Sequence, residues 1–237
     1  QRSVATPQLL EVDPYNRLLA RAPRFRLSAE FVRDGALAAG GILNRDLGGP
    51  SVHPYQPDGL WEEVSHYGYP SPFSSQKFLP GSGRALYRRS LYTAWKRTSP
   101  PPSMAIFDAP SRETCSVRRL NTNTPLQALV LQNDPQFFEA AQHLGQLMAA
   151  AGSAEQGIAL GVERVLGRAP TESEAKLLNS ALSRYRRTYR ARADQAAELL
   201  AAAGAHPHAA ADGNAERAAW ALIGSTLLNM DEAVTRQ

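Results

Sequence analysis

Through the second half of the chain, apolar residues return every three to four positions, a period that predicts a run of amphipathic helices. Phe137, Ala141, Leu144 and Met148 form one stripe, and Ile158, Val162, Val165 and Leu166 a second. Leu178, Leu182, Tyr185, Tyr189 and Ala196 form a third, and Trp220, Ile223 and Leu227 a fourth. The starts are marked as clearly as the stripes. Thr124-Pro125-Leu126-Gln127 reads as a capping box with proline at the first helical position. Asp134-Pro135 restarts or kinks that helix, and Ser153/Gln156 and Thr171/Glu174 are further boxes. Gly152, Gly167 and Gly204 supply stops, so the third stripe predicts one helix of about thirty residues from Thr171 to Gly204.

The first half is more broken. Asp13-Pro14 predicts a short helix over Tyr15–Ala20, and Ser28 caps a helix from Ala29 to about Leu43. In that helix Phe31, Leu37 and Ile42 are expected inside, with Arg33 and Asp34 outside. Residues 51–85 read as a long loop with one helical turn at Leu60–Val64. Its aromatic residues, Tyr55, Trp61, Tyr67, Tyr69, Phe73 and Phe78, suit either an anchor to the core or a platform for a sugar or base. Ser90–Arg97 is expected to be extended, closed by Pro100-Pro101-Pro102, with Met104–Phe107 as a pairing strand. The fold class is therefore mainly α: an irregular, loop-rich half over residues 1–120 with at most a short β-hairpin, and a helical bundle over 121–237, together one compact unit.

Composition changes this picture little. With 237 residues, 43% hydrophobic and 20% charged, the chain can bury a sizeable core and does not read as disordered. It has no apolar run long enough for a membrane span. It begins at Gln1 without a signal-like segment, which suggests a piece or a processed form of a longer protein. The single cysteine, Cys115, excludes an internal disulfide and a Cys-x-x-Cys-His haem attachment within these residues.

Charge is more telling in its distribution than in its total of +4. Between Lys77 and Arg119 stand nine basic residues against two acids. Within this stretch Arg97, Asp108, Arg112, Arg118, Arg119, Asn121 and Asn123 form the candidate site. If the chain folds back at the prolines, these groups meet the Thr124 helix N-terminus and form an anion site for carboxylate, sulfate or phosphate. The competing reading is a structural network in which Asp108 ties down an arginine and the asparagines cap loops. A hydrolytic role on polysaccharide would need Asp108 to find a second carboxylate such as Glu62 or Glu63. Three other features carry less. His206 and His208 lack a third ligand nearby, Cys115 has no nucleophile signature, and Arg184, Arg186, Arg187, Arg190 and Arg192 make a basic face diluted by neighbouring acids. Nucleic-acid binding ranks third among the functions, since no recognisable module accompanies that face.

A longer series of motifs resembles one family. It comprises Asp13-Pro-Tyr-Asn-Arg-Leu-Leu-Ala-Arg, Pro23-Arg-Phe-Arg-Leu, Gly48-Gly-Pro-Ser-Val, Tyr55-Gln-Pro-Asp-Gly-Leu-Trp, Tyr87-Arg-Arg-Ser-Leu-Tyr, Phe107-Asp-Ala-Pro and Thr122-Asn-Thr-Pro-Leu-Gln-Ala-Leu. Arg164-Val-Leu-Gly-Arg-Ala-Pro, Ala219-Trp-Ala-Leu and Leu227-Leu-Asn-Met-Asp-Glu continue it. These resemble the C-terminal domain of unknown function in large planctomycete cytochrome c-like proteins. The resemblance implies an exported, periplasmic or extracellular protein whose upstream domains are this chain's partners and carry any haem. It assigns no catalytic residue and no cofactor to this chain. The expected role is structural or substrate docking, with an anionic polysaccharide as a further partner.

Overall fold

The computed structural model describes residues 5–64, 77–202 and 213–236. In chain order these hold α1 (Pro7–Val12), β1 (Phe25–Arg26), α2 (Ala29–Ala39), α3 (Leu60–Glu63), two 3-10 turns (Gly83–Tyr87 and Ser90–Tyr92) and α4 (Pro102–Ile106). Then follow α5 (Pro125–Asn133), α6 (Pro135–Ala149), α7 (Ala154–Leu166), α8 (Glu172–Ala191), α9 (Ala193–Ala201), α10 (Asn214–Leu228), α11 (Asp231–Val234) and β2 (Thr235–Arg236). The class is mainly α, as the periodicity predicts. Tyr67, Tyr69, Phe73, His206 and His208 lie outside the described residues.

The predicted caps start the helices. Ser153 Oγ accepts from Gln156 N at 3.2 Å while Gln156 Oε1 accepts from Ser153 N at 3.2 Å. Thr171 and Glu174 do the same for α8, and Asp134 Oδ1 receives Gln136 N at 2.9 Å to start α6. These side chains satisfy amides that a helix start otherwise leaves open.

α6 runs through the centre, packed against α10, α7, α2 and α5. The α6–α10 crossing is close because glycine stands on both sides of it. A Cβ at Gly145 would lie 2.7 Å from the backbone of Trp220, and one at Gly224 would lie 2.5 Å from the carbonyl oxygen of Ala141. Phe137, Leu144, Met148, Ile158, Leu182 and Trp220 fill the core, which also takes in Val32 and Leu37 of α2 and Val234 near the C-terminus. Arg164 of α7 donates from Nε to Ala39 O at 2.7 Å, satisfying a carbonyl at the end of α2.

Several local expectations are corrected. The two-stranded sheet pairs Phe25 with Arg236 and Arg26 with Thr235, joining distant parts of the chain. Ser90–Tyr92 is a 3-10 turn, and the extended residues after it bridge to Val52, not to Met104–Phe107. Pro102 occupies the first turn of α4, where a missing amide hydrogen costs nothing, so the triple proline starts a helix instead of ending a hairpin. Asp13-Pro14 follows α1 and does not begin a helix: the Asp13 carboxylate instead accepts Arg17 N at 2.8 Å and Leu18 N at 2.7 Å. The amide of Leu18 is the main reason its carboxyl sits below the ordinary carboxylate value. α2 stops at Ala39 before Gly40 and Gly41, and two of its residues exchange their expected places: Leu37 is buried as expected, but Arg33 is buried at 3% exposure while Phe31 is 68% exposed. The long third helix breaks at Arg192, whose φ of −138° is not helical. The break lets Ala196 and Leu200 of α9 bury against Phe138, Ala218 and Ala221, which offsets the interrupted backbone bonding.

Candidate functional site

Residues 107–127 form a closed loop on a built neck. α4 ends at Ile106 with Phe107 as its C-cap, and Asp108 takes a left-handed φ of 60°, unusual for a residue with a Cβ. That turn aims its carboxylate at Thr122: Asp108 Oδ2 accepts Thr122 N at 2.7 Å and the Thr122 hydroxyl at 2.8 Å. Gln127, 1% exposed, locks the neck from below. Its Nε2 donates to Ile106 O at 3.0 Å and to Thr122 Oγ1 at 3.2 Å, while its Oε1 accepts Thr124 N at 3.4 Å in the predicted capping box.

Two further contacts hold the loop. Trp95 Nε1 donates to Ser111 O at 2.9 Å, and the Arg112 guanidinium, on another left-handed residue with φ 64°, lies 4.4 Å from the Trp95 ring centroid. Arg119 Nη1 donates to both Glu30 oxygens, at 2.8 and 3.1 Å, at the start of α2. That pairing holds the Glu30 carboxyl below its ordinary value, although burial pushes the other way. Between these anchors residues 111–121 are exposed without interruption, including Cys115, Val117 and Leu120. A loop with closed ends and an exposed crown is an Ω-loop in form.

The structure therefore brings Asp108 and the residues around Asn121 together, but it distributes the arginines. Arg112 goes to Trp95 and Arg119 to Glu30, and Asn123 accepts from the Arg26 guanidinium. Arg97, Arg118 and Asn121 are exposed and make no hydrogen bond or ion pair with the described residues. Among the described residues Asp108 holds neither an arginine nor a second carboxylate, and its side chain's partners all belong to Thr122. No group of three or more His, Cys, Asp or Glu residues suited to a metal ion occurs among the described residues.

The basic segment upstream of this loop has a different centre from the one its charge suggests. Arg33 donates to Leu86 O at 2.7 Å, Arg88 O at 2.8 Å, Gln136 Oε1 at 2.6 Å and Ser90 Oγ at 3.2 Å. Asp34 beside it receives Ser90 N at 2.8 Å and the Ser90 hydroxyl at 2.6 Å. Burial lowers Arg33 to about 10, still far above neutrality, so it remains a cation. Arg88 in turn donates to the carbonyls of Asp46, Gly48 and Pro50 and lies 3.9 Å from the Tyr92 ring centroid. Tyr87 donates to the buried Glu139 at 2.8 Å. The Tyr-Arg-Arg-Ser motif at 87–90 is thus the place where the irregular half is bolted to α2 and α6.

What the fold and these sites define is a helical domain with an irregular half bolted to its bundle and an anchored loop held out from the junction. Residues 1–182 match the family described as PSD1, protein of unknown function (DUF1553), and the chain belongs to that family. No curated protein and no solved structure matches the chain.

Proposed function

We propose that this chain is a non-catalytic docking module of an exported multidomain polypeptide, and that the 109–121 loop is its contact surface for a neighbouring domain. One observation carries the reading: a continuous exposed loop is fixed at its neck, at Trp95 and at Glu30, while Val117 and Leu120 face solvent. A loop ordered in advance loses little entropy on binding, and its exposed apolar side chains gain most from being covered. Arg118, exposed between them and without a partner among the described residues, adds a cation suited to a carboxylate on the partner. Haem of the kind the family resemblance implies belongs to another domain of that polypeptide, because the single cysteine here cannot supply the attachment pair.

Hydrogen exchange of the full-length polypeptide against this chain alone tests the reading. Residues 109–121 are expected to exchange more slowly in the full-length protein, and Val117→Asp to abolish the difference. Equal exchange in both would end the docking assignment. A second reading, an anionic glycan on the same loop, rests on Arg97 and Arg118 being exposed and without partners among the described residues. Retention of the isolated chain on a sulfated glycan column, reduced by Arg118→Ala, would favour it.

A further inference from the structure

A separate cleft of about 500 Å³ opens where α4, the α5–α6 junction and residues 55–57 meet. Its floor is apolar, formed by Tyr55, Pro102, Ile106 and Leu129. Its size suits a small molecule with a single ring or a short apolar chain. Several donors near its edge already have acceptors: Gln136 N is held by Asp134 Oδ1 at 2.9 Å, Gln136 Nε2 by Tyr55 O at 3.1 Å and Asn133 Nδ2 by Leu129 O at 3.0 Å. Two acceptors stand at the cleft. Gln56 in the wall has a buried side-chain oxygen with no hydrogen-bond partner among the described residues, and Asp134 contributes a half-buried carboxylate.

The charge behind the wall has the same sign. One guanidinium, Arg33, stands against two carboxylates, Asp34 at 3.7 Å and Asp134. Burial raises the Asp134 carboxyl above its ordinary value, against the helix-start amides and Arg33, which lower it. An entering cation would place a second positive charge beside Asp134 and bring a donor to the Gln56 side-chain oxygen.

We propose that this cleft binds a small organic cation, an apolar ring or chain carrying one protonated amine. The apolar part lies over Tyr55, Pro102 and Ile106, and the ammonium faces Asp134. This site shares no residue with the docking loop and does not depend on the docking reading.

Titration of the protein with benzylamine, benzyl alcohol and benzoate, followed by ligand-observed NMR, tests it. The three probes share a ring and differ in charge. Benzylamine is expected to bind saturably and about tenfold more tightly than benzyl alcohol, with benzoate the weakest. Ile106→Trp, which fills the floor, is expected to abolish binding. Asp134→Asn keeps a good helix cap and is expected to reduce benzylamine to the level of benzyl alcohol, with an unchanged thermal midpoint as the check that the fold survives. Equal binding of the three probes, no saturable binding of benzylamine, or benzylamine binding unchanged in both variants would overturn the assignment.

Discussion

Arg33 decides more of this molecule than its single charge suggests. It is buried, and it draws the carbonyls of Leu86 and Arg88, the side chain of Gln136 and the Ser90 hydroxyl to one point. A guanidinium suits that task because its donors fan out in a plane; a lysine ammonium cannot reach all four. Replacing Arg33 with methionine keeps much of the volume but leaves two backbone carbonyls and the Asp34 carboxylate without their cation. Arg33→Met is expected to lose about 3–5 kcal/mol, and Arg33→Lys to recover only part of it. Urea unfolding measures both; a loss under about 1 kcal/mol for methionine would mean that the network forms without its centre.

Among the elements, the α6–α10 pair sets the packing of the bundle. Gly145 and Gly224 each face backbone across the crossing, so an added methyl meets atoms that cannot rotate away. Gly145→Ala and Gly224→Ala are each expected to cost about 1–3 kcal/mol despite alanine's better helix propensity. Gly35, in α2 with nothing within 4 Å of an added Cβ, is the control, and there alanine is expected to stabilise by about 0.5–1 kcal/mol. Thermal unfolding of the three variants gives the comparison, and destabilisation at Gly35 equal to that at Gly224 would remove the close-packing explanation. What was legible in the chain divides along the same line. The starts of α6, α7 and α8 and the buried stripes of α6 and α10 follow from caps and a 3.6-residue period, both local properties. Arg33 was legible in part: it shares a face with Ala29, Ala36 and Leu37, and only the habit of placing arginine outside hid it. The pairing of β1 with β2 was not legible, because two-residue strands about two hundred residues apart leave no periodic signal. The fate of Asp108 was hidden for a related reason. Its partner Thr122 lies fourteen positions away and is selected by a left-handed turn, whereas the arginines nearby looked like the stronger attraction.

At the scale of the whole molecule the segment before α2 and the C-terminal segment of the described chain are tied to each other and to the bundle. β1 pairs with β2, Leu27 N donates to Val234 O at 2.9 Å, and Arg24 pairs with Asp231. Arg168, in the turn after α7, then clamps this closure to the bundle. It donates to Glu174 in the first turn of α8 at 2.8 and 2.9 Å and to Glu232 of α11 at 2.6 and 2.9 Å. The Arg168 hydrogen bonds, followed by the amide of Thr171, bring Glu174 down to about 2 from its ordinary 4.5. A carboxylate lowered in the folded state contributes stability that is complete above its unfolded value and fades as pH falls toward its folded value. The clamp is therefore expected to weaken between pH 4.5 and about 2 and to be insensitive to pH above that window. Because the groups are partly exposed, solvent and salt reduce the effect, and a modest downward shift of the thermal midpoint is expected. Glu174→Gln removes the titrating group. It is expected to lower the midpoint near neutral pH and to flatten its fall in acid, with the C-terminal segment after Met230 becoming more open to limited proteolysis at neutral pH. An acid profile as steep in Glu174→Gln as in the parent would place the acid sensitivity elsewhere. Faster proteolysis of the bundle with the C-terminal segment unchanged would show that Arg168 braces α8 alone and does not close the chain.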